Sequence, residues 1–384
     1  MKHATIPFVL LVAVIMLSCS QSADAQGGSR QAGSQQPVSP LDTAFPVRGL
    51  FVDAPGRARV DAFCKFIDEE LGPNHINTLI LAVNYSYRFT SRPEMATPNA
   101  IGKDDVKKIV AVCKRHDINV FPLINLLGHQ SWAENTGKLL GVYPDFTETP
   151  NIKAQKVPWP NPDGYYCLSY CPLHPDVHDV VFPLIDEVLH DFGAKDFHAG
   201  MDEVFYIGHD SCPRCAGKDR AELFAGELQK IRDHLAKSES RLWIWGDRLI
   251  DGQITGVGEW EGATNGTAPA IATIPRDVVI CDWHYNRAET TAPMFAAQDL
   301  DVVSCFWNRP QVAADTLDAV QLFRKVSTRK MTSHYRGVMQ TVWSGNDRLL
   351  REYYDPELDE NGGTATASLK RMIKMLNVIA DEEK

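Results

Sequence analysis

Asp196-Phe197-His198-Ala199-Gly200-Met201-Asp202-Glu203 begins as a short apolar run and ends in two adjacent carboxylates. A predicted helix, Val177 to Phe192, precedes it, and another, Ala221 to Ala236, follows it. A short buried strand between two helices is typical of a parallel sheet covered by helices. In such folds, side chains directly after a strand lie at the edge where ligands bind.

The same alternation extends outward in both directions and predicts an α/β protein. Near-continuous apolar runs predict eight strands: Val47 to Asp53, Ile76 to Val83, Ile118 to Asn125, Asp196 to Met201, Arg241 to Trp245, Val278 to Trp283, Asp301 to Phe306 and Gly337 to Trp343. Eight strand–helix units favour a closed (β/α)8 TIM barrel, one domain over residues 46–384, over an open sheet. No G-x-G-x-x-G follows the first strand, which removes the usual dinucleotide signal.

The N-terminus has the features of an export signal. Lys2 and His3 precede an apolar run from Ile6 to Leu17, which is shorter than the roughly 20 residues of a membrane span. Residues 1–25 therefore read as a signal peptide, ending either at Ala23-Asp24-Ala25 or, as a bacterial lipoprotein signal, before Cys19. We expect an exported protein that is periplasmic, secreted or held at the membrane by lipid on Cys19 alone.

Composition limits the class of ligand. Residues 26–45 are rich in Gly, Ser, Gln and Pro and predict a flexible linker. The net charge of −10 argues against nucleic acid as a partner, because phosphates favour a basic face. An acidic surface is compatible with a neutral sugar.

The residues at the ends of the predicted strands form an unusual set. It is rich in aromatic rings, carboxylates and histidine, and five of the eight tryptophans belong to it: Asn84, Tyr85, Tyr87, His129, Asp202, Glu203, Trp243, Trp245, Asp247, Trp283, Tyr285, Trp307, Trp343 and Asp347. Arg48 and Asp53 frame the first strand. Aromatic faces stack on pyranose rings, and charged groups bind hydroxyls in pairs. The set therefore predicts a carbohydrate site, although any single strand Trp is more often a core residue.

These motifs resemble a known family. His198-x-Gly200-x-Asp202-Glu203 resembles the H-x-G-x-D-E signature of family-twenty β-N-acetylhexosaminidases. Arg48-Gly49-Leu50-x-x-Asp53 resembles the family's opening motif, and Gly128-His129 resembles its P-G-H turn. Trp245-Gly246-Asp247 and Trp343-Ser344-x-x-Asp347 are closer to the hexosaminidase D branch. The resemblance covers roughly residues 46 to 350.

The resemblance implies a substrate-assisted mechanism, in which the acetamido oxygen of the substrate is the nucleophile. It implies that Asp202 orients the acetamide, that Glu203 is the acid and base with a raised pKa, and that Tyr285 hydrogen-bonds the acetamide oxygen. Together with the strand-end set, it places the substrate-binding residues at Arg48, His129, Trp245, Asp247, Trp283, Trp307, Trp343 and Asp347. Among these, His129 is expected to support Glu203. It implies hydrolysis of terminal β-linked GlcNAc or GalNAc from glycans, with no cofactor and no catalytic metal.

Two other functions compete with this interpretation. A metal-dependent hydrolase on the same barrel predicts an H-x-H at the first strand, and none is present. A glycan-binding barrel lipoprotein without turnover is the alternative from another class. Asn125 and Leu127 depart from the family's acidic and Pro positions near the turn, but both carboxylates, Asp202 and Glu203, are retained.

Four of the cysteines lie in loops. Cys212-Pro213-Arg214-Cys215 follows the catalytic motif, and Cys167-x-x-x-Cys171 precedes a long helix. Adjacent loops could bring the four together, either as two disulfides, as is natural in an exported protein, or as a structural zinc site, or as free thiols. The other cysteines within apolar patterns predict small core residues.

Overall fold

The computed structural model describes residues 39–157, 164–355, 357 and 363–381. The predicted signal peptide, Cys19 and most of the predicted linker lie outside these residues. The described residues form one compact unit. Among the described residues, no helix combines the length and apolar character that crossing a bilayer requires.

The unit is a closed barrel of eight parallel strands, which confirms the predicted fold. The barrel strands are β1 (Val47–Asp53), β2 (Thr78–Ala82), β3 (Asn119–Leu126), β6 (Asp196–Gly200), β7 (Arg241–Trp245), β8 (Val279–Trp283), β9 (Asp301–Phe306) and β10 (Tyr335–Val342). Each pairs with its sequence neighbours in the barrel, and β10 closes against β1. Two short strands, β4 (Ser131–Trp132) and β5 (Asn135–Thr136), form a separate antiparallel pair.

Helices follow most of the strands. They are α1 (Pro40–Ala44), α2 (Val60–Phe66), α3 (Lys103–Arg115), α4 (Lys138–Val142), α5 (Val177–Phe192), α6 (Arg220–Ala236), α7 (Gly252–Thr255), α8 (Ala292–Ala296), α9 (Pro310–Val326), α10 (Arg329–Thr332), α11 (Asn346–Tyr354) and α12 (Ala365–Asp381). The helices after β7 and β8 are only 4 and 5 residues long, so the connections there are irregular. Residues of the loop after α7 reach the strand ends: Trp260 donates to Glu203, and Glu261 accepts a hydrogen bond from the amide of Tyr285.

Closure of the barrel depends on a glycine. The ladder between β9 and β10 shifts its register between Tyr335 and Gly337. Gly337 has φ of 138°, and a Cβ at this position would lie 2.0 Å from the carbonyl oxygen of Val47. Only glycine allows the last strand to approach β1 this closely, so Gly337 makes the final pairing possible.

The core has two parts, as expected for a sheet that is buried on both faces. One lies between the strands and the surrounding helices. The other fills the barrel and includes Phe51, Phe121, Trp243, Trp245 and Met339. Large rings that fill the interior leave no continuous channel, so polar chemistry is confined to the ends of the barrel.

The predicted linker is wrong at its C-terminal end. Residues Pro40–Ala44 form α1, and the side chains of Leu41 and Phe45 are buried. Ser39 caps this helix, its side chain accepting a hydrogen bond from the amide of Asp42. Two apolar anchors in a polar segment were enough to attach it to the barrel, although its composition is typical of a linker.

Candidate active site

The chain turns sharply after β6. Met201 and Glu203 both adopt left-handed backbone conformations, with φ of 65° and 49°. Gly200 is also left-handed, and a Cβ there would lie 2.2 Å from Oδ1 of Asn125 on β3. Non-glycine residues adopt this region at an energetic cost and cluster at functional sites. The glycine of the motif is thus explained by a close strand approach, and the turn directs both carboxylates to one side.

His198 supports this turn without taking part in proton transfer. Its side chain is fully buried, and its Nδ1 accepts a hydrogen bond of 3.0 Å from the amide of Gly200. Burial lowers the pKa of the imidazole to about 3, so the ring is neutral at physiological pH. The ring packs against Trp245 with a centroid distance of 4.6 Å. His198 is therefore a positioning residue.

The two carboxylates share one imidazole. Nε2 of His129 lies 3.1 Å from Oδ2 of Asp202 and 3.1 Å from Oε2 of Glu203. Burial acts to lower the pKa of His129, but the charge of Asp202 and hydrogen bonds to both carboxylates outweigh it and hold the pKa well above its ordinary value. His129 is therefore a cation between two anions. The predicted contact between His129 and Glu203 is present.

The pKa of Glu203 differs from the expectation. Burial acts to raise it, but hydrogen bonding and charge from His129, together with Tyr166 and Arg248, bring it below its ordinary value. The indole Nε1 of Trp260 also donates to Oε1 of Glu203 at 2.7 Å. The prediction of a raised pKa is wrong, because the hydrogen-bond donors and positive charges around the carboxylate outweigh the influence of burial.

Asp202 has one oxygen that no described residue satisfies. Oδ2 contacts His129, whereas Oδ1 is buried and has no hydrogen-bond partner among the described residues. An unpaired buried acceptor is costly, and those found in native structures call for an explanation such as a ligand. A donor on a bound molecule would satisfy Oδ1.

Aromatic rings form the wall of the cavity. The cavity has a volume of about 690 Å³, within the range of small-molecule sites. Asp202 and Glu203 lie on its surface, and its other lining residues are Asn125, His129, Trp132, Ala133, Lys156, Val157, Tyr166, Trp260, Trp283, Tyr285, Trp307 and Trp343. Trp283, Trp307 and Trp343 therefore lie where the sequence predicted them.

Tyr285 is held as a hydrogen-bond donor toward the cavity. Its hydroxyl oxygen accepts a hydrogen bond of 2.7 Å from Nε1 of Trp343, so its own proton remains to donate. Burial raises the pKa of Tyr285 well above its ordinary value, which keeps the hydroxyl neutral. Its ring packs against Trp283 and Trp307, with centroid distances of 4.9 and 5.5 Å. The arrangement suits the predicted contact with an amide oxygen.

Asp247 lies beneath the cavity rather than on its surface. It is almost fully buried, and its oxygens accept hydrogen bonds from the amide of Glu203 at 2.9 Å, Nε of Arg248 at 2.6 Å and Nε1 of Trp283 at 3.2 Å. Burial raises its pKa to about 6 despite the Arg248 charge. Asp247 therefore does not line the cavity, contrary to the prediction. Instead, it positions Glu203 and Trp283.

Three other predicted substrate-binding residues do not line the cavity. Arg48 lies at the opposite end of the barrel, where its guanidinium donates to the carbonyls of Phe45 and His75 and pairs with Asp42. The side chain of Trp245 is fully buried among the rings in the barrel interior. Asp347 begins α11 with its carboxylate 61% exposed and 3.3 Å from Nε of Arg59.

The structure adds residues that the strand-end reasoning did not select. Trp260 comes from the glycine-rich loop after α7, and Tyr166, Trp132 and Lys156 come from the long connection between β3 and β6. Tyr166 hydrogen-bonds Glu203. The Trp in Gly256-Val257-Gly258-Glu259-Trp260-Glu261-Gly262 was a usable signal, since an aromatic ring in a glycine-rich loop is unusual.

The four loop cysteines do not come together as one set. Cys171, Cys212 and Cys215 cluster with Glu148. Cys167 instead lies beneath the catalytic turn, where its thiol donates to the carbonyl of Glu203 at 3.4 Å. All eight cysteines among the described residues are free thiols. The prediction that Cys167 joins the other three is wrong, because its thiol lies by His129 and Glu203 instead.

Comparison with known proteins agrees with this geometry. The sequence profile "Glycosyl hydrolase family 20, catalytic domain" matches residues 78–346. A search of curated protein sequences finds no match. Similar folds include Flavobacterium johnsoniae chitobiase (15% identity, TM-score 0.60, 88% of this chain and 52% of that one). They also include a β-N-acetylhexosaminidase from Bacteroides fragilis (17% identity, TM-score 0.57, 85% of this chain and 66% of that one). A third is a Vibrio harveyi exo-β-N-acetylglucosaminidase in complex with N-acetylglucosamine (17% identity, TM-score 0.56, 88% of this chain and 58% of that one).

This chain thus spans about half to two-thirds of the length of these enzymes. The match covers well over half of the chain, includes both strand-end carboxylates and spans seven of the eight barrel strands, which confirms the family predicted from the motifs. The protein belongs to glycosyl hydrolase family 20 and contains the catalytic domain of that family.

Proposed function

We propose that the protein is an exo-acting β-N-acetylhexosaminidase that removes terminal β-linked GlcNAc or GalNAc by substrate-assisted, retaining catalysis. The single observation that carries the proposal is the shared contact of His129 with Asp202 and Glu203 at one end of an aromatic cavity. Both carboxylates contact the same imidazole nitrogen, and Oδ1 of Asp202 has no described partner, so it can accept a hydrogen bond from a substrate acetamide. They suit a mechanism in which the nucleophile belongs to the substrate.

The first chemical step uses both carboxylates and Tyr285. The acetamido oxygen attacks C1, the bond from C1 to the leaving oxygen breaks, and Glu203 gives its proton to that oxygen. Oδ1 of Asp202, which has no described protein partner, accepts the acetamide N–H and stabilises the positive oxazolinium. The hydroxyl of Tyr285 donates to the attacking oxygen and fixes its direction.

The second step reverses the roles. Water attacks C1, Glu203 takes a proton from that water, and the bond from C1 to the acetamide oxygen breaks. Two inversions at C1 retain its configuration. Trp283 and Trp307 stack against the sugar, and the cavity volume of about 690 Å³ admits one hexosamine and part of its neighbour.

His129 supplies the proton that Glu203 needs. The raised pKa of His129 and the lowered pKa of Glu203 place one shared proton mainly on the imidazole at neutral pH. Transfer across the 3.1 Å contact makes Glu203 an acid when the leaving oxygen arrives. The same pair then accepts the proton from water, so it serves both steps.

Two finer features belong to the same proposal. The Trp245-Gly246-Asp247 and Trp343-Ser344 segments support a place near the hexosaminidase D branch. The sequence of residues 1–25 supports export, with a signal peptide that ends either before Cys19, where lipid would anchor the protein, or at Ala23-Asp24-Ala25. Mass spectrometry of the mature N-terminus from a bacterial host tests the latter: an unprocessed Met1 would contradict export.

The test is hydrolysis of p-nitrophenyl β-N-acetylglucosaminide, its galactosaminide and chitobiose. We expect Asp202→Asn to lower kcat on all three by roughly 10²–10⁴-fold, the usual range for a group acting in the transition state. Glu203→Gln should lower kcat most on chitobiose, because p-nitrophenolate leaves without protonation. Asp347→Asn, whose carboxylate is exposed outside the cavity, is the matched control and should leave kcat unchanged.

The proposed hydrolysis would be contradicted by a wild-type protein that is inactive but still binds N-acetylhexosamine, with the same affinity in Glu203→Gln. The glycan-binding lipoprotein would then be the function. Equal losses on both leaving groups in Glu203→Gln would remove the acid role from Glu203 while leaving the family assignment intact.

A further inference from the structure

Glu148, Cys171, Cys212 and Cys215 form a buried cluster outside the cavity. One ligand atom from each residue lies within 4.8 Å of the other three, and all four side chains are buried. Sγ of Cys171 is 3.4 Å from Sγ of Cys215 and 3.5 Å from Sγ of Cys212. Disulfide sulfurs are about 2.05 Å apart. Sulfurs in a tetrahedron around zinc, with Zn–S of about 2.3 Å, are about 3.8 Å apart, much closer to what is observed.

Glu148 gives a second and independent sign of a missing cation. Its Oε1 accepts a hydrogen bond from the amide of His209 at 3.0 Å. Its Oε2 is buried, and within the cluster the carboxylate is approached only by the thiols of Cys212 and Cys215 among the described residues. A buried carboxylate oxygen beside three thiols is expensive unless a positive charge compensates it. Three cysteines also cannot all pair in disulfides, and any pairing would leave Glu148 uncompensated.

The backbone around the thiols is arranged as in metal-binding loops. The amides of Arg214 and Cys215 donate to Sγ of Cys212, and the amide of Leu173 donates to Sγ of Cys171. Cys212 and Cys215 have the C-x-x-C spacing of structural zinc sites. Amide donors to sulfur stabilise thiolates and orient metal ligands, a supporting shell that metal sites commonly contain.

We propose that Glu148, Cys171, Cys212 and Cys215 bind one Zn²⁺ ion in a closed, structural, tetrahedral site. Three soft thiolates and one carboxylate favour zinc over Mg²⁺ or Ca²⁺, which prefer oxygen ligands alone. The three thiols each release a proton to solvent on binding. Four protein ligands leave no open position, so the ion takes no part in hydrolysis.

The ion would connect the two loops that hold Glu203. Cys171 follows the segment that carries Tyr166 and Cys167, both of which contact Glu203. Cys212 and Cys215 lie in the loop that begins at Glu203 itself. Zinc would thus fix the donors on one loop relative to the carboxylate on the other. The metal proposal does not depend on the substrate of the cavity.

The first experiment measures zinc in the full-length protein, purified without chelator, by elemental analysis, with the intact mass measured in parallel. We expect about one zinc per chain and the mass of eight or more free thiols after the metal is removed in acid. Cys171→Ser and Cys215→Ser should lose at least nine-tenths of the zinc. Cys64→Ser, a partly buried cysteine outside the cluster, is the matched control and should keep all of it.

A second set of measurements uses the wild-type protein and one conservative variant. Replacing the native metal with Co²⁺ should give the strong near-ultraviolet absorption of thiolate-to-cobalt charge transfer and the visible bands of tetrahedral cobalt. Glu148→Gln, a conservative change, should weaken zinc retention by at least about tenfold against a competing chelator. Chelation should also lower the temperature of thermal unfolding.

Absence of zinc in the wild-type protein, with either free thiols or a mass lower by two hydrogens per disulfide, would overturn the proposal. So would zinc that remains stoichiometric in both Cys171→Ser and Cys215→Ser. An inactive protein that holds one zinc through these residues would leave the metal site standing and count only against the proposed hydrolysis.

Discussion

Two aspartates at opposite ends of the same strand, β6, differ in their hydrogen bonding. Asp196 at the amino end accepts hydrogen bonds from Asn119, Arg241 and Trp243, so both of its oxygens are satisfied. Asp202 beyond the carboxyl end shares one oxygen with His129 and leaves the other unpaired. The first carboxylate is part of the framework, and the second is arranged for a partner that the protein does not supply.

The same contrast holds for the two ends of the barrel. At the amino end, Arg48 is fixed by Asp42 and by two backbone carbonyls. At the carboxyl end, the buried Oδ1 of Asp202 has no hydrogen-bond partner among the described residues. Non-glycine residues with positive φ occur at both ends of the barrel, so backbone strain does not distinguish them. Satisfied polar groups indicate stability, whereas an unpaired buried acceptor indicates a place for a ligand. Mutations at the two ends should therefore have different effects.

Asp247→Asn should have the largest effect on stability and activity taken together, because Asp247 supports both the fold and the catalytic carboxylate. It pairs with the fully buried Arg248 and also holds the amide of Glu203. Removing one member of a buried pair costs about 3–5 kcal/mol of unfolding free energy, and the displaced Glu203 should lower kcat by about tenfold or more. Urea unfolding and kcat, measured on the same preparation, check both effects.

The matched control is Asp277→Asn, which removes the carboxylate that pairs with Arg232 at the surface. It should cost less than about 1 kcal/mol and leave kcat alone. Unchanged activity in Asp247→Asn would mean that Glu203 keeps its position without this contact. Asp247 would then not be a positioning residue for Glu203.

His129→Gln should change the pH dependence of activity. In the wild-type protein, the form with one shared proton extends from the lowered pKa of Glu203 to the raised pKa of His129. Without the cation, the pKa of Glu203 rises, and activity requires Glu203 itself to be protonated. The alkaline limb of kcat/KM should therefore move to lower pH, by about one unit or more.

A pH profile from about 4 to 10 checks this expectation, with His190→Gln, an exposed histidine on α5, as the control. If the alkaline limb stays in place while kcat falls, His129 orients Asp202 without storing the proton, and the proton must come from another group.

Arg48→Gln should have the smallest effect on catalysis. It removes donors to two backbone carbonyls and should cost about 1–3 kcal/mol of unfolding free energy. We expect kcat and KM to stay within twofold of the wild type, because the guanidinium lies at the other end of the barrel. Arg59→Gln, which loses only an exposed partner, should change neither stability nor kinetics appreciably. A large rise in KM without loss of stability in Arg48→Gln would return this residue to the substrate site.

Tryptophans at strand ends show how far sequence reasoning reached. Trp245 and Trp283 are the last residues of β7 and β8, so the sequence predicted the same role for both. Trp283 lines the cavity, but Trp245 is covered by Phe51, His198 and Trp343. Position in the chain correctly placed both rings at the carboxyl ends of barrel strands. Which ring is covered depends on side chains from distant strands.

Trp260 and the metal cluster show a second limit. Trp260 donates to Glu203 across 57 residues of chain, and Glu148 meets cysteines contributed by two other segments. No local pattern signals such a contact, because loop paths after β3 and β7 follow packing rather than periodicity. The same reason explains why Cys167 could not be separated from Cys171 in advance.

The sequence by itself determined the barrel, the family, the adjacent carboxylates and the presence of Tyr285 and His129 near them, because strand period, turn residues and motif spacing are local properties. Only the tertiary structure decided that Arg48 and Trp245 belong to the framework, that Glu203 is held ionised by a shared imidazole, and that Glu148 joins three cysteines. These facts depend on which groups meet across the closed barrel, where burial and neighbouring charge, rather than chain position, set the state of each side chain.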